Sequence, residues 1–147
     1  MRLSCQRALL LLTVSTLACH DTSGPVGTAS VFILNDINDR TLPTYLAPTP
    51  GLTPTIVSGT LTLETTGQAV MTEHRIGFDG VEVELVSQYT YTINGGRIQF
   101  ERLQPCPINA LCTAPPTGTI FLNTLALQIG GPNSAPIIYN YRLSPAL

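Results

Sequence analysis

Between Val81 and Leu103 apolar and polar positions alternate almost without a break. Val81, Val83, Leu85, Tyr89, Tyr91 and Ile93 hold the odd positions of the first arm, and Glu82, Glu84, Gln88, Thr90 and Thr92 hold even ones. A period of two sends the two sets to opposite faces of a strand, one buried and one wetted. Asn94-Gly95-Gly96 then offers residues that accept positive φ, as a tight hairpin turn requires. The return arm sets Ile98, Phe100 and Leu103 against Arg97, Gln99, Glu101 and Arg102. Two registers are open. A loop at Asn94-Gly95 puts Tyr91 opposite Ile98 and Tyr89 opposite Phe100. A loop at Gly95-Gly96 puts Ile93 opposite Ile98 and Tyr91 opposite Phe100. Either way apolar faces apolar, so the pattern predicts a hairpin.

The remaining segments are shorter and read the same way. Ala29 to Leu34 is a strand, and the Asn and Asp residues between Asn35 and Arg40 predict a turn. Thr44 to Thr55, with Pro43 before it, holds Pro48, Pro50 and Pro54, and no central strand tolerates them because proline lacks the N–H for the ladder. The stretch 43–56 is therefore expected to be a long loop, either functional or an insertion without fixed structure. Val57 to Glu64 alternates, with Leu61 and Leu63 on one face. Thr65-Thr66-Gly67 turns into Ala69 to Phe78, where Val70, Ile76 and Phe78 share a face with Thr72 and His74. Asp79-Gly80 predicts a two-residue hairpin loop back into the Val81 strand. Gln104 to Pro116 is a proline-rich connection. Thr117 to Leu122, Leu125 to Ile129 and Pro136 to Leu143 are the last strands, with turns at Asn123-Thr124 and Gly130-Gly131-Pro132-Asn133.

The first residues differ in kind. Arg2 and Arg7 precede a short apolar run, Ala8 to Leu12 with Val14 and Leu17, which is too short for a bilayer span of about 20 residues and fits a secretory signal peptide. Ser15-Thr16-Leu17-Ala18-Cys19 resembles a bacterial lipobox. That resemblance implies an acylated Cys19 as the first residue of the mature chain; the alternative is an ordinary cleaved signal with a chance Cys. His20 to Thr28 is small, polar and aperiodic, a tether. The organisation expected is a signal peptide over 1–18, a tether over 19–28 and one β-domain over 29–147.

Composition narrows the function classes. Charged residues make up 11% of the chain, well under the usual share of about 25%. There is no Lys, and the net charge is −2; without Arg2 and Arg7, five Arg face nine acids and it becomes −4. Scattered Arg on an acidic chain excludes nucleic acid as an expected partner, since phosphate contacts need clustered cations. Beyond the leader only Cys106 and Cys112 remain as thiols in the folded part, and in an exported chain they are expected to form a disulfide. No further Cys or His stands at zinc spacing, so no metal is expected. No Gly-x-Ser-x-Gly elbow, P-loop or Gly-x-Gly-x-x-Gly occurs, and no cofactor is implied. Glu82 and Glu84 fall opposite the valines, which makes them a solvated outer face rather than a catalytic carboxylate pair. His74 stands without partners in sequence and reads as a polar residue near a strand end.

About eight short strands joined by mostly hairpin-length connections, with no helical period, predict an all-β fold. Tight consecutive turns favour an antiparallel up-and-down eight-stranded barrel or half-barrel over a Greek key. Leu34-x-x-Ile37-Asn38-Asp39-x-x-Leu42-Pro43 resembles the opening of small bacterial lipocalin-like lipoproteins. Gly59-Thr60-Leu61-Thr62-Leu63, Tyr91-Thr92-Ile93 with Ile98-x-Phe100, and Tyr139-x-Tyr141-Arg142 stand where that pattern has its later strands. The resemblance covers most of 29–143 and implies a lipocalin-like barrel. The Gly-x-Trp of true lipocalins is missing.

Two function classes follow. The first is a non-enzymatic cell-envelope lipoprotein on the outer membrane, held by lipid on Cys19, serving as a scaffold or interaction domain for an envelope partner. The second is a carrier of a small apolar ligand in the barrel interior, for which Tyr89, Tyr91 and Phe100 are the candidate ligand-binding residues. Cavity volume separates them, because a drug-sized ligand needs about 300 Å³ or more.

Overall fold

The computed structural model describes residues 29–46, 54–105, 114–130 and 135–145, and every regular element among them is a strand. The strands are β1 (Ser30–Ile37), β2 (Arg40–Thr41), β3 (Thr44–Tyr45), β4 (Thr55–Leu63), β5 (Gln68–Ile76), β6 (Glu82–Asn94), β7 (Arg97–Arg102), β8 (Thr117–Phe121), β9 (Thr124–Ile129) and β10 (Ile137–Leu143). From β4 to β10 each strand pairs antiparallel with the next. β1 closes the ring, pairing with β10 on one side and β4 on the other, so that Phe32 stands opposite both Leu143 and Leu61. The result is a closed eight-stranded up-and-down barrel with two short extra strands. β2 lies against the end of β1 and β3 against the start of β4.

Two bulges explain where the alternation changes phase. On β1 the register with β10 slips between Leu34 and Asp36, so Phe32 and Leu34 point inward and Ile37, three residues on, does so too. The strand thereby runs through part of the predicted 35–40 turn, and the turn itself shrinks to Asn38-Asp39, both at positive φ (50° and 61°). On β4 the slip between Ile56 and Ser58 lets Ile56 share the interior with Leu61 and Leu63. The predicted long loop 43–56 is also shorter at its ends than expected. Thr44-Tyr45 pairs with Thr55-Ile56, and residues 47–53 lie outside the described residues.

The β6–β7 hairpin takes the Gly95-Gly96 loop, with Ile93 opposite Ile98 and Tyr91 opposite Phe100. The β5–β6 hairpin departs from expectation. The Gly77 N–H donates to the Val81 carbonyl (2.8 Å), and the loop is Phe78-Asp79-Gly80, three residues rather than two. Gly80 takes φ 76°, the left-handed position such loops end on. The extra residue pairs Ile76 with Glu82 and turns Ala69, Met71 and Glu73 inward, not the Val70–His74 face. The β8–β9 turn is likewise one residue earlier than read, at Leu122-Asn123.

Alternation of direction assigns each connection to one end of the barrel. The start of β1, the β4–β5, β6–β7 and β8–β9 turns and the end of β10 share one end. The β1–β2 turn, the β5–β6 loop and the β7–β8 and β9–β10 connections share the other. Phe32, Leu34, Leu61, Leu63, Tyr89, Ile98, Phe100, Leu125, Leu127 and Tyr141 fill the interior. Tyr89 meets Phe100 edge to face, with centroids 5.7 Å apart.

Candidate ligand site

Among the described residues the packing does not fill the barrel to the end where the β5–β6 loop lies. A cavity of about 440 Å³ remains there. Leu46, Met71, Leu85, Val86, Ile129 and Ile137 supply most of its apolar wall. Glu73, Arg75, Ser87, Arg102 and Tyr139 bring polar atoms to it. This is the composition of a small-molecule pocket, mostly apolar with a few polar groups that orient a ligand. A lateral cleft of about 360 Å³ adjoins it. β6 continues past the end of β7, so Val86, Ser87 and Gln88 face Leu103 and Gln104 rather than a paired strand.

Glu73 and Arg75 form the polar feature of the interior. They are two residues apart on β5, so their side chains emerge on the same face, and Arg75 Nη2 donates to Glu73 Oε2 at 2.7 Å. Glu73 is only 4% exposed. A buried charge pair is costly unless its remaining lone pairs and protons are matched. Among the described residues the match is incomplete: none of them offers a hydrogen-bond partner to Glu73 Oε1, Arg75 Nε or the Tyr141 hydroxyl. Burial pushes the Tyr139 phenol far above the ordinary phenol value, and the Glu73 carboxylate adds to the shift while Arg75 opposes it. Tyr141 is raised by burial first and then by Glu73, Tyr139 and Tyr89. Both phenols therefore stay neutral at any physiological pH.

Of the three aromatic residues expected to bind ligand, Tyr89 lines the cavity, while Phe100 is buried in the packed core. Tyr91 is half-buried toward the opposite end, and its hydroxyl donates to the Glu64 carbonyl at 2.8 Å. Glu82 and Glu84 pair with Ile76 and His74 on the outer surface, and His74 Nε2 lies 3.4 Å from Glu84 Oε2. Cys19, Cys106 and Cys112 lie outside the described residues. Among the described residues no three His, Cys, Asp or Glu side chains come together to hold a metal ion. No helix among them is long and apolar enough to cross a membrane.

Loop length hides the Glu73–Arg75 pair from a reading of the sequence. A two-residue loop at Asp79-Gly80 sends His74 and Thr72 inward; a three-residue loop sends Glu73 and Arg75 inward. Gly77 beside Phe78-Asp79-Gly80 was the available signal for the longer loop. The chain matches no protein-family model, no curated protein and no solved structure.

Proposed function

We propose that this chain is a lipid-anchored cell-envelope lipoprotein whose lipocalin-like barrel carries a small, largely apolar molecule in its open end and performs no catalysis. The observation that carries the reading is the cavity of about 440 Å³, which exceeds the lower bound of about 300 Å³ for a ligand pocket. Its apolar wall suits a hydrocarbon or ring system. Arg75 is paired with Glu73 at the same wall, which Arg102 also lines, so two Arg face one acid there, which suits a polar or anionic head group on that molecule. The leader and Cys19 support the anchor, and in the oxidising compartment that export implies Cys106 and Cys112 are expected to pair.

The scaffold reading keeps one observation in its favour: Phe32, Tyr89, Phe100 and Tyr141 are packed into the interior. A cavity-filling variant separates the two. Ser87 stands opposite Met71 on the inner face and lines the cavity, so Ser87→Trp places an indole in the space. Titration with anilinonaphthalene sulfonate, an apolar anion of suitable size, is expected to show one saturable site in the native protein, weakened at least about tenfold in S87W. Equal binding by both proteins, or no binding by the native protein, removes the carrier reading.

A further inference from the structure

The end of the barrel opposite the cavity carries two large apolar side chains in water. Phe121 is 72% exposed and Leu122 is 82% exposed, side by side at the tip of the β8–β9 hairpin. Leu122 also takes a positive φ of 52°, a conformation that a leucine adopts at some cost. Among the described residues none buries either side chain. The hairpin is held by backbone: the Ile120 N–H donates to the Gly96 carbonyl, and the Leu143 N–H to the Asn123 carbonyl, both at 2.8 Å. Polar turn residues serve that geometry better.

What stands beside this tip identifies its occupant. β1 begins at Ser30 on the same end, and Ser144, just after β10, donates its N–H to the Val31 carbonyl. The N-terminal part of the chain therefore joins the barrel at the end that presents Phe121 and Leu122. Ten residues separate Cys19 from Ser30, a reach of at most about 35 Å. Charge is consistent with the same neighbour. Arg97 follows the Gly95-Gly96 turn and Arg142 pairs with Thr124, both exposed, while Glu64 is the acid in the adjoining turns and Asp36 lines the groove that Phe121 shares with Arg142. The far end holds the acids Asp39, Asp79, Glu82 and Glu84 together with Arg40, Arg75 and Arg102, and it exposes Phe78, Val81 and Val86, but the N-terminal part of the chain does not join the barrel there.

We propose that the Phe121–Leu122 tip is a membrane-contact surface, which seats the barrel on an anionic lipid bilayer with its cavity mouth directed away from the membrane. Two exposed apolar side chains flanked by Arg are the features of an interfacial anchor, inserting among head groups while cations meet anionic lipid. The proposal rests on the anchored reading for the tether at Cys19, and it assigns a second point of contact that fixes orientation. A ligand then enters from the side facing the aqueous compartment.

The chain contains no Trp, so a single substitution installs a unique reporter. Phe121→Trp tests the proposed contact, and Phe78→Trp serves as the control, since Phe78 is 68% exposed at the opposite end. Each full-chain variant, purified from the membrane, is reconstituted into vesicles of phosphatidylethanolamine and phosphatidylglycerol. Brominated acyl chains are expected to quench F121W at least about threefold more than F78W, as insertion to about 5–10 Å requires. Aqueous iodide is expected to show the reverse order. Flotation with equal quenching of both reporters leaves the anchor standing and overturns the contact. Failure to float overturns both.

Discussion

Tyr139 and Tyr141 sit one above the other on the inner face of β10, with ring centroids 6.4 Å apart and the Glu73 carboxylate close by. Burial opposes the ionisation of either phenol and the Glu73 charge adds to that opposition, so both are held well above the ordinary phenol value. The sign of the linkage follows. Below pH 10 both phenols are protonated in folded and unfolded chains and stability does not depend on them. Above it the unfolded chain releases protons that the folded barrel keeps, so stability falls by about 1.4 kcal/mol per pH unit for each phenol. Phenolate absorbance from these two residues is therefore expected to appear together with loss of near-ultraviolet circular dichroism during an alkaline titration. Phenolate formation in a barrel that stays folded would contradict their burial. At this scale the sequence told only part. Tyr139 and Tyr141 were legible as apolar-face residues, but Glu73 was not, because a carboxylate on an alternating strand ordinarily marks the wet face.

A one-residue change of loop length decided that misreading at the scale of elements. Side chains repeat with period two, so the third loop residue between β5 and β6 exchanges every inward and outward position of β5. The β6–β7 hairpin carried no such penalty, since both of its registers kept Tyr91 and Ile98 inside. Bulges at Asn35 and Val57 shift phase in the same manner and are invisible to a strict alternation count. Close pairing elsewhere leaves no spare room. A Cβ on Gly118 would run into the backbone carbonyl oxygen of Ala126 and lie 2.8 Å from Leu127 Cδ2. Backbone cannot step aside within a paired ladder, so Gly118→Ala is expected to lower stability by about 1–3 kcal/mol, read from the denaturant midpoint. An unchanged midpoint would show that β8 and β9 are not packed this closely.

For the whole molecule, closure through β1 removes the sheet edges that eight open strands expose, and it creates two unlike ends. One is filled by aromatic and leucine side chains and presents Phe121 and Leu122. The other holds the Glu73–Arg75 pair and the cavity. Strand number and meander order were readable from turn spacing. Cavity size was not, because it depends on stagger and on which β5 face turns inward, neither of which alternation fixes. The central claim is that the open end holds a small molecule. Native mass spectrometry of the protein purified from its own cells tests it most directly. A folded species heavier than the acylated chain by one small molecule is expected, with that increment lost in S87W. A single species at the mass of the bare acylated chain, under conditions gentle enough to retain bound ligand, would contradict it.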